Sequence, residues 1–112
     1  MNIVCTRENE MAINDTLNVL SGKWKRPIIG VLFSGRKRFK EIEQMLKGIS
    51  PRMLSKELKD LEDNGIVVRR EVDYLPSTCE YELTKSGESL PQVWEAMISW
   101  GIQHRKNVLG KK

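Results

Sequence analysis

Residues 39–82, FKEIEQMLKGISPRMLSKELKDLEDNGIVVRREVDYLPSTCEYE, decide the fold of this chain. A short segment with helical apolar spacing is followed by a turn, a longer helix over 51–63, and two alternating strands joined by a second turn. Ser50 can cap the longer helix and Pro51 fits its first turn, so both mark the same start. Gly65 marks the end. This order predicts a helix-turn-helix followed by a β-hairpin wing over about 68–83.

The predicted longer helix has an apolar side and a basic side. The apolar side consists of Met53, Leu54, Leu58 and Leu61. Arg52, Ser55, Lys56 and Lys59 recur three or four residues apart, so they share the opposite face. A helix that lies in the major groove needs donors for phosphates and base edges, whereas a helix that only packs into a core does not. An ordinary solvated face is the alternative interpretation of this helix taken alone.

Charge is concentrated in the middle of the 112-residue chain, which carries a net charge of +4. Residues 23–70 contain thirteen Lys or Arg and six Asp or Glu, so this segment alone has a net charge of +7. A basic middle between mildly acidic ends indicates a polyanionic partner on one face. The length fits a single domain over 1–112.

Several function classes are disfavoured by what the sequence lacks. It has no phosphate-binding glycine loop, no clustered His or Cys typical of a metal site, and no recognisable catalytic trio. We therefore expect no enzyme activity, no metal and no cofactor. No apolar segment approaches the roughly 20 residues needed to cross a bilayer, and no signal peptide is evident. We expect a cytoplasmic protein without a membrane partner.

The remaining segments follow from periodicity and helix-breaking residues. We assign a polar arm to 1–10, the DNA-binding core to 22–84, and dimerisation helices to 11–21 and 85–108. Pro27 limits the start of the second helix to about Lys25 or Arg26, because a proline further inside costs about 3 kcal/mol. Thr84 can cap the last helical region, and Pro91 should begin or bend its main helix.

The two terminal helices carry apolar residues that a small domain cannot easily bury. These candidate interface residues are Ile13, Leu17, Leu90, Val93, Trp94, Met97 and Trp100. A symmetric partner would cover them, so a homodimer is expected. The alternative is that they fold back onto the core of their own subunit.

Taken together, these features resemble the HxlR-type transcriptional regulators, a winged helix-turn-helix family related to the MarR group. The resemblance covers about 11–101 and rests on the order of SGKWK at 21–25, KRFKEI at 37–42, GISPRML at 48–54, LEDNGIV at 61–67, EYELT at 80–84, GESL at 87–90 and WG at 100–101. It implies a mainly α fold with a small β-hairpin wing, dimerising through N- and C-terminal helices. It also implies a homodimeric, sequence-specific DNA-binding regulator whose recognition helix, with its caps, is 50–64.

Binding to double-stranded DNA divides into phosphate contacts, which supply affinity, and groove contacts, which choose the sequence. Ten residues are assigned to DNA binding: Lys37, Arg38, Lys40 and Lys59 for phosphates, Arg52, Ser55 and Lys56 for bases, Ser50 at the helix start, and Ser77 and Thr78 in the wing. Arg52 can make the bidentate contact with guanine, worth about 1–3 kcal/mol of discrimination. The expected operator is an inverted repeat with half-sites around 34 Å apart. A protein- or RNA-binding module without operator specificity is the alternative.

The two cysteines are too far apart in sequence to indicate a disulfide framework or a metal site. Many family members carry a redox-reactive cysteine just before the first helix, near Met11 here, whereas the nearest thiol of this chain is Cys5. Cys5 is either a sensor of oxidants or electrophiles or an unreactive thiol on a polar tail. Cys79 is predicted to be a small buried hydrophobe on the side shared with Tyr81 and Leu83.

Family wings often carry a basic residue where this chain has Thr78. No effector is indicated by the sequence.

Overall fold

The computed structural model describes residues 6–71 and 79–110, which form six helices and three strands. The helices are α1 (Arg7–Leu20), α2 (Lys25–Leu32), α3 (Phe39–Met45), α4 (Pro51–Asp63), α5 (Lys85–Ser89) and α6 (Pro91–Leu109). The strands are β1 (Lys37–Arg38), β2 (Val67–Glu71) and β3 (Cys79–Leu83). The predicted winged helix-turn-helix, mainly α with a small sheet, is confirmed.

The first two helices begin where local chemistry allows. α1 starts four residues before the predicted Met11, because the Thr6 side chain accepts a hydrogen bond from the backbone N–H of Asn9 at 3.0 Å. The predicted helix start at about Met11 is therefore wrong, and residues 7–10 of the polar segment are helical and exposed. α2 begins at Lys25, as Pro27 predicts, since the proline then lies in the first turn, where no helical hydrogen bond is lost.

The helix-turn-helix consists of α3 and α4, and α4 has the bounds that its sequence predicts. Ser50 Oγ accepts a hydrogen bond from the backbone N–H of Met53 at 3.0 Å, and Pro51 opens the helix. Gly48 in the turn between the helices has φ +93°, a conformation that glycine adopts without strain. The two ends of α4 are thus set by local chemistry.

The core lies between α2, α3, α4 and the sheet. Its fully buried residues are Ile28, Ile29, Ile42, Leu54, Leu58, Leu61 and Val67. Met53 was expected among them and is 37% exposed. Successive helical residues point about 100° apart, so Met53 lies at the margin of the apolar face instead of its centre. The expectation of a buried Met53 is wrong.

The three strands form an antiparallel sheet in the order β1-β3-β2. β1 was not predicted, because a two-residue strand has no detectable periodicity; it pairs Lys37 with Tyr81 and Arg38 with Glu80. In the predicted hairpin, Val67 pairs with Leu83 and Glu71 with Cys79. The wing segment 72–78 lies outside the described residues.

Thr84 joins the end of the wing to the end of α4. Its hydroxyl donates a hydrogen bond to the carbonyl oxygen of Gly65 at 2.6 Å and accepts one from the backbone N–H of Gly87 at 3.2 Å. Gly87 is required there, since a Cβ atom would lie 2.5 Å from the carbonyl oxygen of Ile66. The predicted cap at Thr84 and the start of the main helix at Pro91 are confirmed. No helix among the described residues is long and apolar enough to cross a membrane.

Candidate nucleic-acid interface

The predicted basic face of α4 is exposed along its length. Arg52, Ser55, Lys56 and Lys59 all face solvent, while the leucines of the same helix are enclosed by the core. Within the described residues Arg52 makes no ion pair and lies in the first turn of the helix. The guanidinium of Arg52 and the hydroxyl of Ser55 are therefore exposed near the N-terminal end of α4, where donors best reach an anionic or hydrogen-bonding surface.

Two cations of this face already have acidic neighbours. Lys59 Nζ donates to Asp63 Oδ1 at 3.1 Å, and this hydrogen bond raises the pKa of Lys59. Lys56 Nζ lies 3.5 Å from Asp60 Oδ2. Both pairs are i,i+4 contacts whose lysines are exposed, so solvent screens them and they contribute little to stability. They can therefore open when a phosphate approaches.

Ser50 has a structural role in α4 whether or not it contacts DNA. Its Oγ is the acceptor that satisfies the Met53 N–H at the helix start. Such a cap typically stabilises a helix by about 1 kcal/mol. The hydroxyl hydrogen remains available as a donor to a phosphate.

The basic run 36–38 is divided by the sheet. Lys37 is half-buried, and its Nζ turns back to the carbonyl oxygens of Gly35 and Arg36, each at 3.4 Å. Arg38 and Lys40 are exposed at the start of α3, where the backbone N–H of Arg38 donates to Glu41 Oε1 at 2.8 Å. Of the three cations assigned here, Arg38 and Lys40 are the ones that project freely.

The base of the wing is held by an ionic contact that the sequence did not predict. Glu82, on the central strand, accepts hydrogen bonds from Arg70 on β2 and from Arg36 Nε, the latter at 3.1 Å. The Arg70 hydrogen bond, with smaller contributions from Arg36, lowers the pKa of Glu82. Arg36 and Arg70 are thus engaged within the subunit.

Cys79 differs from its prediction as a buried hydrophobe. The side chain is half-exposed, and Arg69 Nε donates to its sulfur at 3.1 Å. Cys79 is the first residue of the central strand β3 and pairs with Glu71 of β2, but the two-residue strand β1 pairs only with Glu80 and Tyr81 and does not reach it. Tyr81 on the same strand is partly buried against the core, and this burial raises the pKa of its phenol.

A buried ion pair behind the basic face also escaped the sequence analysis. Lys25 at the start of α2 donates from Nζ to Glu57 Oε1 of α4 at 2.8 Å, and each residue is only 7% exposed. One signal was available, because Glu57 lies three residues after Leu54 and four before Leu61, on the apolar side of the helix.

The residues proposed for the dimer interface fall into three groups. Ile13, Leu17, Met97 and Trp100 are exposed, with Trp100 at 68%, and Val93 and Trp94 are half-buried against the core. Leu90 belongs to the core of its own subunit, so its assignment to an interface is corrected. The residue immediately precedes α6 as its N-cap and is 8% exposed in the core cluster. Trp94 thus packs against the core of its own subunit, as the alternative interpretation expected, whereas Trp100 does not.

Three assigned residues, Cys5, Ser77 and Thr78, lie outside the described residues. Among 6–71 and 79–110, no group of three or more His, Cys, Asp or Glu side chains is arranged to hold a metal ion.

Comparison with known proteins agrees with this geometry. The model of the HxlR-like helix-turn-helix family matches residues 19–108. The HTH-type transcriptional regulator YtcD of Bacillus subtilis is 33% identical over 104 residues, which cover 93% of this chain and 82% of YtcD. YodB, another HTH-type transcriptional regulator of Bacillus subtilis, is 38% identical over 91 residues, which cover 81% of each chain.

Solved structures are similar over nearly the whole fold. A transcriptional regulator of the MarR family from Enterococcus faecalis V583 has a TM-score of 0.76 at 33% identity, with 96% of each chain covered. The reduced form of YodB from Bacillus subtilis has a TM-score of 0.73 at 37% identity, covering 89% of this chain and 94% of that one. YodB has also been solved after diamide treatment and with a bound quinone.

These relatives are transcriptional regulators and not enzymes. Membership of their family confirms the expectation that this chain is not an enzyme. The helix-turn-helix of α3 and α4, the three-stranded wing base and the family model that matches residues 19–108 lead to one conclusion. The chain belongs to the HxlR-like helix-turn-helix family, which is related to the MarR regulators.

Proposed function

We propose that this protein acts as a homodimer that binds an inverted-repeat operator in double-stranded DNA and thereby regulates nearby genes. Each α4 enters the major groove, and the wing contacts the flanking backbone or minor groove. Arg52, Ser55 and Lys56 read base edges. Lys59, Arg38 and Lys40 contact phosphates, and Lys37 does so once it leaves its carbonyl contacts.

The observation that carries this proposal is the division of α4 into two faces. Leu54, Leu58 and Leu61 fix one face in the core, with none of them more than 1% exposed. The opposite face presents Arg52 with no ion pair among the described residues. A rigid helix with free donors is suited to reading a groove, since the donors then meet base edges in a fixed geometry.

Support for the homodimer comes from apolar residues on α1 and α6. Ile13 and Leu17 are exposed on α1, and Met97 and Trp100 are exposed on α6. Exposed apolar surface of this extent typically marks a protein interface. A twofold partner would cover it and would place two α4 helices about one helical turn apart on the same side of the duplex.

The decisive experiment selects binding sequences from random duplex DNA with the full chain and then measures affinity across a salt series. We expect an inverted repeat with half-site centres around 34 Å apart. Affinity should fall steeply with salt, since each phosphate contact contributes about 0.9 to the slope of log K against log salt. Enrichment of no sequence, or equal affinity for single-stranded RNA, would favour an interaction module and refute the proposal.

Redox control of this binding stays a prediction for Cys5. The prediction is motivated by related regulators, such as HypR, whose structures have been solved in both reduced and oxidised forms. Wild type and Cys5→Ser would be treated with diamide or a quinone and their operator affinities compared. A response in wild type that is absent in the variant supports a sensor, whereas an equal response in both removes Cys5 from the mechanism.

A further inference from the structure

The recognition helix carries more acidic than basic residues, which is unexpected in an element that is to approach a polyanion. α4 contains three cations, Arg52, Lys56 and Lys59, and four acids, Glu57, Asp60, Glu62 and Asp63, so its side chains sum to −1. Duplex DNA carries one negative charge per 1.7 Å or so of axis, so unneutralised acids on this helix oppose binding. Some element outside α4 must therefore compensate them.

Lys25 supplies that compensation from the interior. Its Nζ lies 2.8 Å from Glu57 Oε1 and 3.7 Å from Asp60 Oδ2. The side chains of Lys25 and Glu57 are 9% and 10% exposed, so solvent and salt screen this contact weakly. Lys25 is the first residue of α2, and the core holds α2 against α4.

The same two carboxylates also face the solvent-side cation Lys56. Lys56 Nζ lies 3.9 Å from Glu57 Oε2 and 3.5 Å from Asp60 Oδ2. Two acids are thus shared by one interior cation and one exposed cation, and the four charges cancel. If Lys25 were absent, Lys56 would be the only cation of this cluster for both acids, and a phosphate could engage it only by leaving two carboxylates unpaired beside DNA.

We propose that Lys25 is a positioning residue for DNA binding, which neutralises Glu57 and Asp60 from the core side and so releases Lys56 to the DNA. This inference rests on the proposed function. A purely structural ion pair would only hold α4 in place, and removal of either partner would weaken operator binding. The role proposed for Lys25 predicts instead that removal of Lys25 weakens binding, whereas removal of the Glu57 charge does not.

The test compares Lys25→Gln with Glu57→Gln, which break the same ion pair. Operator affinity is measured over a salt series below the onset of thermal unfolding of each variant, as followed by circular dichroism. Lys25→Gln should weaken binding by about the factor seen for Lys56→Gln and lower the salt slope by about one. Glu57→Gln should bind at least as tightly as wild type, because its amide oxygen still accepts from Lys25 and Lys56 loses a competing acid. If the pair only anchors α4, both variants weaken binding alike, and the proposal is overturned.

Two controls sharpen this result. Lys23→Gln makes the same charge change at an exposed position two residues away, and it should leave the affinity close to that of wild type. In a Lys56→Gln background the effect of Lys25→Gln should shrink, since coupled residues are non-additive. An undiminished effect contradicts the proposal.

If Lys25→Gln does not fold, Glu57→Gln decides alone, with weaker binding than wild type refuting the inference. If the wild-type protein shows no salt-dependent binding to duplex DNA, the proposed function is refuted. If wild type binds and Arg52→Ala does not, but Lys25→Gln and Glu57→Gln do not change operator affinity in opposite directions, only the inference about Lys25 is refuted.

Discussion

Helices α4 and α6 are both amphipathic in sequence, yet only α4 completes its packing within the subunit. The three leucines of α4 are fully enclosed, and its buried acid has a buried partner. α6 is six residues longer, and none of its residues is buried. Its exposed large apolar residues include Met97, Ile98, Trp100 and Ile102. Periodicity therefore identifies both helices, but only α4 depends on the subunit core alone.

The largest effect should come from opening a cavity beneath α4. Leu58→Ala removes a side chain that is 1% exposed, so the free energy of unfolding should fall by about 2–5 kcal/mol. The matched variant is Ile102→Ala on α6. Chemical denaturation at two protein concentrations is the measurement. The Leu58 effect should be independent of concentration, whereas the Ile102 effect should change with concentration, as expected for a residue stabilised by association. If both variants lost the same free energy of unfolding at both protein concentrations, α4 and α6 would not differ in how they are stabilised.

A charge placed on α6 should break association while leaving the subunit folded. Trp100 is 68% exposed, so Trp100→Glu removes little buried surface inside the subunit. Its stacking on His104, with ring centroids 4.7 Å apart, is the ring contact that is lost. Across an interface, replacement of a central aromatic residue typically weakens binding by about 2 kcal/mol or more. Sedimentation equilibrium measures the change, and Gln103→Glu on the same helix controls for the added charge. An unaltered dimer constant in Trp100→Glu would exclude this face from the interface.

The outer face of α4 should separate sequence reading from phosphate binding. Arg52→Ala should reduce discrimination among operator variants by about 1–3 kcal/mol, because a bidentate guanine contact is lost. Lys59→Ala should weaken all variants alike and lower the salt slope by at most about one, since Lys59 exchanges Asp63 for a phosphate. Fluorescence anisotropy with a panel of single-substitution operators gives both quantities. Unchanged binding by both variants across the salt series would show that this face does not contact DNA.

The smallest effect concerns the ionic contacts at the wing base, where the side chains of Arg36 and Arg70 are 55% and 54% exposed. The arginine contacts lower the pKa of Glu82 below its ordinary value of 4.5. The stability that they contribute is present above that value and is lost as the pH falls through the lowered pKa. Glu82→Gln should therefore be slightly less stable at pH 7 and lose less stability on acidification. Thermal unfolding from pH 7 to pH 3 measures this, with Glu88→Gln as the exposed control. Parallel pH profiles for wild type and Glu82→Gln would contradict the assignment.

Sequence patterns predicted those features whose signals are local. The bounds of α4, the late start of α2 and the caps at Ser50 and Thr84 depend on residues within a few positions of one another. The same reasoning failed for Leu90, Met53 and the first turn of α1, where burial or a side-chain hydrogen bond decided the outcome. The basic face of α4 was predictable because helical spacing alone places its residues together.

Sequence by itself determined the helix-turn-helix, the wing and the family, because turn residues, caps and periodicity act over short distances along the chain. Only the tertiary structure decided which apolar residues the subunit covers and which charges meet. Lys25 and Glu57 are 32 positions apart, and Arg36 and Glu82 are 46 apart. No local pattern encodes such contacts, since they form when packing of α2, α4 and the sheet brings separate elements within a few ångströms.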